Sequence, residues 1–276
     1  MQHHNLEEND SPMTQARQQK QNSVNLLPAA ILIAAIVISA SILYAGKQFA
    51  SINLRSSVLG QNTAINPQAN NPTPKQAPTQ PDTGPVKVAL NDAPVLGNKN
   101  AKLTIVDFSD YECPFCKKSF TDILPSLKTD YIESGKVNLV YKNYPLPFHQ
   151  NAPKEAEAAL CARDQGGDSV YFKFHDQIYT QTTSNGTGLA LTQLPIIAKS
   201  LGLNVSKFQL CLDFGKYKDY VDKDIAQGNQ VGVSGTPTWF VGKTNSDGTI
   251  TGTKIVGAQP YTAFKAIIEQ QLKSVN

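Results

Sequence analysis

Apolar and polar positions divide the chain into four zones. Residues 1–25 are polar, with Arg17 and Lys20 among Asn, Gln and Glu, and a disordered tail is expected there. Leu26–Tyr44 then runs nineteen residues without a charge. As a helix it would extend roughly 28 Å, close to the thickness of a bilayer core. A buried core helix would carry a polar stripe, which this run lacks. A cleavable signal peptide is the rival, because Ser39, Ala40, Ser41 and Ala45 are small. The polar lead is long and the apolar run exceeds a signal's core of about 7–15 residues, so an uncleaved transmembrane anchor over 26–45 is expected. Residues 46–92 are rich in Asn, Gln, Thr and Pro and offer little to bury. They read as a linker, which as a coil would span about 35–40 Å.

Folded character begins near Ala93. Leu103–Ser109 is an apolar run of strand length, and Cys116–Tyr131 has helical spacing with a kink expected at Pro125. Val137–Asn143 reads as a second strand. Asn151 is placed to cap a helix with Pro153 in its first turn and Glu155 and Glu157 close behind. Helical patterns follow at Tyr171–Tyr179, Thr192–Leu201, Ser206–Phe214 and Tyr217–Gln227, two of them stopped by Gly202 and Gly215. Thr238–Val241 and Thr249–Val256 flank the turn signal Asn245–Gly248 and predict a hairpin. Pro260 opens a last helix reaching Leu272. Strand, helix, strand, a helical block over about 150–230, two strands and a helix predict an α/β domain over 93–276. Its sheet is mixed, with helices on both faces.

Composition narrows the function. Of 276 residues only 17% are charged, the net charge is +3, and no basic stripe is interleaved with aromatics. No nucleic-acid partner is expected. Charges flanking the apolar run balance (Arg17 and Lys20 against Lys47 and Arg55), so they do not orient it.

The chemistry concentrates at Cys113-Pro114-Phe115-Cys116. The pair follows a predicted strand and opens a predicted helix, whose free N–H groups and positive dipole end favour a thiolate. Cys113, at the helix mouth, is the candidate nucleophile. Cys116, one turn inside, is the candidate resolving thiol, and the two would form a redox disulfide. A structural zinc pair is the alternative. The other ligand types after the apolar segment, Cys161, Cys211, His149 and His175, form no second close pair, and no metal is expected. Asp107 shares a strand face with Leu103 and Ile105, so its carboxylate points into an apolar layer unless it lies exposed at the strand end. His149, in a loop, is expected to be solvated and is not assigned to the site.

Three runs together resemble the DsbA-like branch of the thioredoxin superfamily. They are Val106-Asp-Phe-Ser-Asp-Tyr-Glu-Cys-Pro-Phe-Cys116, Tyr144-Pro-Leu-Pro-Phe-His149 and Val233-Ser-Gly-Thr-Pro-Thr-Trp-Phe-Val241. The resemblance covers about residues 93–276. It implies a thioredoxin-like fold with a helical insertion, an exposed Cys113 and a cis peptide bond before Pro237. It implies that Asp107 relays protons to and from Cys116, and that Thr236 and Pro237, with Pro114 and Phe115, meet an extended substrate segment. It further implies reduced exported polypeptides as substrates and a membrane reoxidase of the DsbB or vitamin K epoxide reductase type. No bound cofactor is called for, since the cysteines carry the electrons.

Direction is less constrained. Strong oxidants of the resembling family carry histidine where this chain has Phe115, so a milder oxidant is expected. A reductase or isomerase, or a tethered peptide-binding module without catalysis, are the alternatives. Cys161 and Cys211 sit on predicted helices. Paired, they close a loop of about fifty residues worth ~4 kcal/mol in the chain-entropy model; unpaired, they would be buried thiols. A disulfide is expected and would suit an extracytoplasmic domain at the cell membrane.

Overall fold

A computed structural model of the protein describes residues 84–275. The polar tail, the apolar run Leu26–Tyr44 and the linker up to residue 83 lie outside the described residues. Among the described residues, no helix is long and apolar enough to cross a membrane.

Among the described residues, six strands form one sheet in the order β1-β6-β5-β3-β4-β2. They are β1 (Val86–Ala89), β2 (Val95–Leu96), β3 (Leu103–Ser109), β4 (Val137–Asn143), β5 (Thr238–Thr244) and β6 (Thr249–Val256). β3 and β4 run parallel, and every other neighbouring pair is antiparallel. The parallel pair needs a crossover, which helix α1 (Pro114–Asp122), helix α2 (Leu124–Leu127) and a π-helical turn at Lys128–Ile132 provide. The single kinked helix predicted over Cys116–Tyr131 is thus three pieces. Pro125 has no N–H to continue the first helix and instead sits in the opening turn of the second.

The helical block between β4 and β5 holds α3 (Ala152–Gln181), a 3₁₀ turn at Leu191–Gln193, α4 (Leu194–Ser200), α5 (Val205–Asp213) and α6 (Lys218–Gln230). The two helices predicted on either side of Arg163–Val170 join into α3, broken only at Gly167, whose φ of 68° leaves the helical region. Asn151 does not cap α3 with its side chain; its amide donates to the Leu189 carbonyl instead. Asn204 does cap α5, accepting from the Lys207 N–H at 2.9 Å. Helix α7 (Tyr261–Val275) closes the domain.

The linker reading fails at Val86–Ala89. These four residues pair with β6 as the sheet's edge strand, with Val88 opposite Ile250. Strand pleat then explains the layering. Leu103, Ile105, Tyr141, Trp239 and Val241 face a large apolar cluster that includes α3 and α7. Val106, Phe108, Val140, Phe240 and Ile250 face a smaller one, against which Ile225 of α6 packs. Helices on both faces seal the sheet, and the C-terminal end of β3 delivers the chain directly to Cys113.

Candidate active site

Cys113 is the N-cap of α1, with extended backbone (φ −79°, ψ 123°) and Pro114 beginning the helix. Proline suits that place, because its absent N–H would have no partner there. The Cys113 carbonyl accepts from the Lys117 N–H at 3.0 Å. Across from it, the Thr236–Pro237 peptide bond is cis. The Thr236 carbonyl oxygen lies 3.4 Å from the Cys113 sulfur. This loop covers the sulfur: Cys113 is only 4% exposed and Cys116 2%. Cys113, expected to be exposed, is therefore shielded, and the exposed apolar group of the motif is Phe115, at 61%.

Cys113 and Cys116 are both free thiols, so the structure describes the reduced pair. Their environments push them apart. Hydrogen bonding from the Cys116 thiol, the Thr236 hydroxyl and the backbone N–H groups of Cys116 and Phe115 outweighs burial and brings Cys113 down to about 6. Cys116 goes the other way: burial, then the bond and charge of Cys113 and the nearby Asp107, raise it well above its ordinary value.

Asp107 lies behind the pair, between Tyr141 and Trp239 on the flanking strands. It is buried and its Oδ1 has no hydrogen-bond partner. Burial pushes its carboxyl well above the usual range; a bond from Ser109 lowers it in part, and the Cys113 charge raises it further. Ser109 also bonds Cys116, and the Tyr179 hydroxyl donates to Ser109 Oγ at 3.2 Å. Ser109 thus stands between a carboxyl and a thiol whose pKa values are both raised.

Together with Cys113, Cys116 and Asp107, the fold brings Thr236 and Pro237 to one place. Cys161 and Cys211 are joined by a disulfide between α3 and α5, away from this motif in the chain.

The thioredoxin family profile matches residues 90–270. The chain belongs to the thioredoxin family. Probable disulfide bond formation protein D of Bacillus anthracis is 30% identical over 164 residues, 58% of this chain and 74% of that protein. Disulfide bond formation protein D of Bacillus subtilis is 26% identical over 188 residues, 67% of this chain and 79% of that protein. The crystal structure of oxidised BdbD from Bacillus subtilis superposes with a TM-score of 0.58 at 26% identity, covering 69% of this chain and 99% of that one. Within its family the protein is a DsbA-like thiol–disulfide oxidoreductase of the disulfide-bond-forming kind.

This DsbA-like site includes residues that sequence reasoning missed. His149 is not solvated: it is 6% exposed, and its Nδ1 lies 2.7 Å from Asp110 Oδ2. Asp110 also accepts from the Leu146 and Glu112 N–H groups, and its own N–H lies 3.5 Å from the Cys116 sulfur. One carboxylate thus ties the approach to Cys113 to the Tyr144–His149 loop. The sequence marks that loop as one of the three family-like runs and by Pro145 and Pro147, which stiffen it, but nothing local announces the pairing with Asp110.

Proposed function

We propose that Cys113 attacks and Cys116 resolves in a membrane-anchored enzyme that forms disulfides in exported polypeptides. One observation carries the assignment: Cys113 is the N-cap of α1 with its sulfur 3.4 Å from the Thr236 carbonyl beside the cis bond to Pro237, where hydrogen bonds lower it to about 6 while burial raises Cys116 well above its ordinary value. A stabilised thiolate is a good leaving group, and its stability makes the disulfide form oxidising.

The exchange balances as follows. A substrate thiolate attacks Cys113 Sγ in the Cys113–Cys116 disulfide. The Cys113–Cys116 bond breaks, a mixed disulfide forms at Cys113, and Cys116 leaves as a thiolate. Protonated Asp107 supplies the proton Cys116 takes up, with Ser109 between them. A second substrate thiolate then attacks the substrate sulfur of the mixed disulfide, and Cys113 departs as a thiolate. The substrate has lost two electrons and the cysteine pair holds them. A membrane reoxidase of the DsbB or vitamin K epoxide reductase type would take them, with no bound cofactor on this chain. Thr236 and Pro237, with Pro114 and the exposed Phe115, would receive an extended substrate segment as in strand addition.

Two features support an extracytoplasmic domain. The Cys161–Cys211 disulfide suits an oxidising compartment, and the uncharged run Leu26–Tyr44 suits an anchor. Phe115 offers no charge to the thiolate through its side chain, which favours a milder oxidant. The test is the reduction potential of the Cys113–Cys116 pair. A value above about −270 mV, the thioredoxin level, is expected; one at or below it would make the enzyme a reductase. Unchanged activity of Cys113→Ser in cells would leave only a binding module.

A further inference from the structure

Two carboxyl groups lie buried together beside Cys113, outside the relay described above. Glu112 directly precedes the nucleophile, and Glu155 sits in the first turn of α3; both are fully covered. Glu112 is well satisfied. Its Oε1 accepts from the Thr182 hydroxyl at 2.7 Å and the Leu189 N–H at 3.0 Å, and its Oε2 accepts from the Gly188 N–H at 2.7 Å. Glu155 is the opposite: neither of its oxygens meets a donor. A buried carboxylate without donors is costly, so Glu155 is the acid that keeps its proton. That proton needs an acceptor, and the side-chain partner of Glu155 is Glu112. A carboxylate has about four lone-pair sites. The three bonds above leave one of Glu112's for the Glu155 O–H.

The other three donors to Glu112 come from one loop, Thr182–Leu189. Ser184, Asn185 and Gly186 have φ of 67°, 65° and 95°, a left-handed run that needs outside support. The support comes from both flanks of the cysteine motif. Before it, the Glu112 side chain takes the Thr182 hydroxyl, and the Glu112 carbonyl accepts from the Asn185 N–H at 2.8 Å. After it, the Lys117 ammonium donates to the Thr182 carbonyl. Asn151, just ahead of α3, adds its N–H to the Gly186 carbonyl and its side-chain amide to the Leu189 carbonyl.

We propose that Glu112 and Glu155 share one proton as a buried acid pair that clamps loop Thr182–Leu189 against the nucleophile segment, making Glu112 a positioning residue for Cys113. The proposal rests on Cys113 being the nucleophile. Burial, Glu112 and then the Asp110 charge raise Glu155 to about 10. Burial also acts on Glu112, but the bonds from Glu155, Gly188, Thr182 and Leu189 outweigh it and hold Glu112 below its ordinary value. One proton therefore stays in the pair through the neutral range.

The test is infrared spectroscopy with amide hydrogen exchange on the reduced full-length chain. Near neutral pH, Glu155→Gln should remove one protonated-carboxyl band of the wild-type spectrum that Asp107→Asn leaves in place. The glutamine amide still donates to Glu112, so the Gly188 and Leu189 amides should stay protected. Glu112→Gln should speed exchange at both amides by about tenfold or more, the effect of losing charge-assisted bonds, and should shift the pH midpoint of Cys113 alkylation. A band that survives Glu155→Gln, or amides unaffected by Glu112→Gln, would overturn the proposal. Should Glu112→Gln not fold, Glu112→Asp decides: its shorter side chain keeps the charge but draws the carboxylate back from the loop, so both amides should exchange faster together, and unchanged exchange at both would refute the clamp. These spectroscopic readouts involve no disulfide exchange. An error in the nucleophile assignment would appear instead as full activity of Cys113→Ser.

Discussion

The Cys113 sulfur sits 3.4 Å from the Thr236 carbonyl oxygen, so the reduced thiol is held by the loop that ends in the cis bond to Pro237. The contact serves two protonation states. As a thiol, Cys113 donates to that carbonyl. As a thiolate, it gains the Thr236 hydroxyl, which has no other partner, alongside the Cys116 thiol and the helix N–H groups. Thr236→Val removes the hydroxyl and keeps the carbonyl. Iodoacetamide alkylation of reduced wild type should be half-maximal near pH 6. In Thr236→Val the midpoint should move up, and the reduction potential should fall. An unmoved midpoint would mean that the hydroxyl contributes nothing to the thiolate.

The same shift makes stability depend on pH. The folded value for Cys113, about 6, lies below its ordinary value of 9.0. Its contribution to the reduced protein is therefore complete above pH 9 and is lost as pH falls through about 6. Cys113→Ser should erase that slope. Subtracting variant from wild-type unfolding free energies between pH 5 and 9 isolates it from groups of opposite sign. A flat difference would rule out a thiolate favoured by the fold.

Asp107 provides such an opposite sign. Burial raises its pKa, so the native state holds the proton more tightly than the unfolded chain. Wild-type stability should fall as pH climbs from about 4 through the raised value. Asn does not titrate, so Asp107→Asn should gain on wild type between pH 4 and pH 8, measured by urea unfolding. The variant should also slow release of Cys116 by about a hundredfold, the lower end of general acid–base effects. Equal stability differences at both pH values would place the carboxyl in water.

Where chemistry and pattern are local, the sequence was readable. Leu103–Ser109, Val137–Asn143 and Thr249–Val256 are strands over those very residues, since apolar runs of that length bounded by turn signals leave few choices. Asp107 falls by simple alternation on the face of β3 that carries Leu103 and Ile105, which belong to the larger apolar cluster. β1 was hidden although Val86 and Val88 alternate with Lys87, because four residues within a proline-rich stretch form a strand only by pairing with β6. The cover over Cys113 comes from 123 residues further on, and the His149–Asp110 pair spans 39. No periodicity reports contacts at that range. Glu155 looked like an ordinary first-turn acid, and only tertiary burial separates it from one.

The Cys161–Cys211 bond links α3 to α5 across a sequence separation of 50. Closing a loop of that length removes chain entropy from the unfolded state worth about 4 kcal/mol, and measured effects generally come lower. Cys161 is buried and Cys211 half-buried, so alanine at both leaves a small cavity besides. The double variant Cys161→Ala, Cys211→Ala should therefore lose about 2–4 kcal/mol in urea unfolding. Neither cysteine is among the groups that shift Cys113 or Cys116, so the alkylation midpoint should stay near pH 6. Reduction potential should be equally unaffected. A variant as stable as wild type would mean that α3 and α5 need no staple; a moved midpoint would mean that the helical block and the thiol pair are coupled.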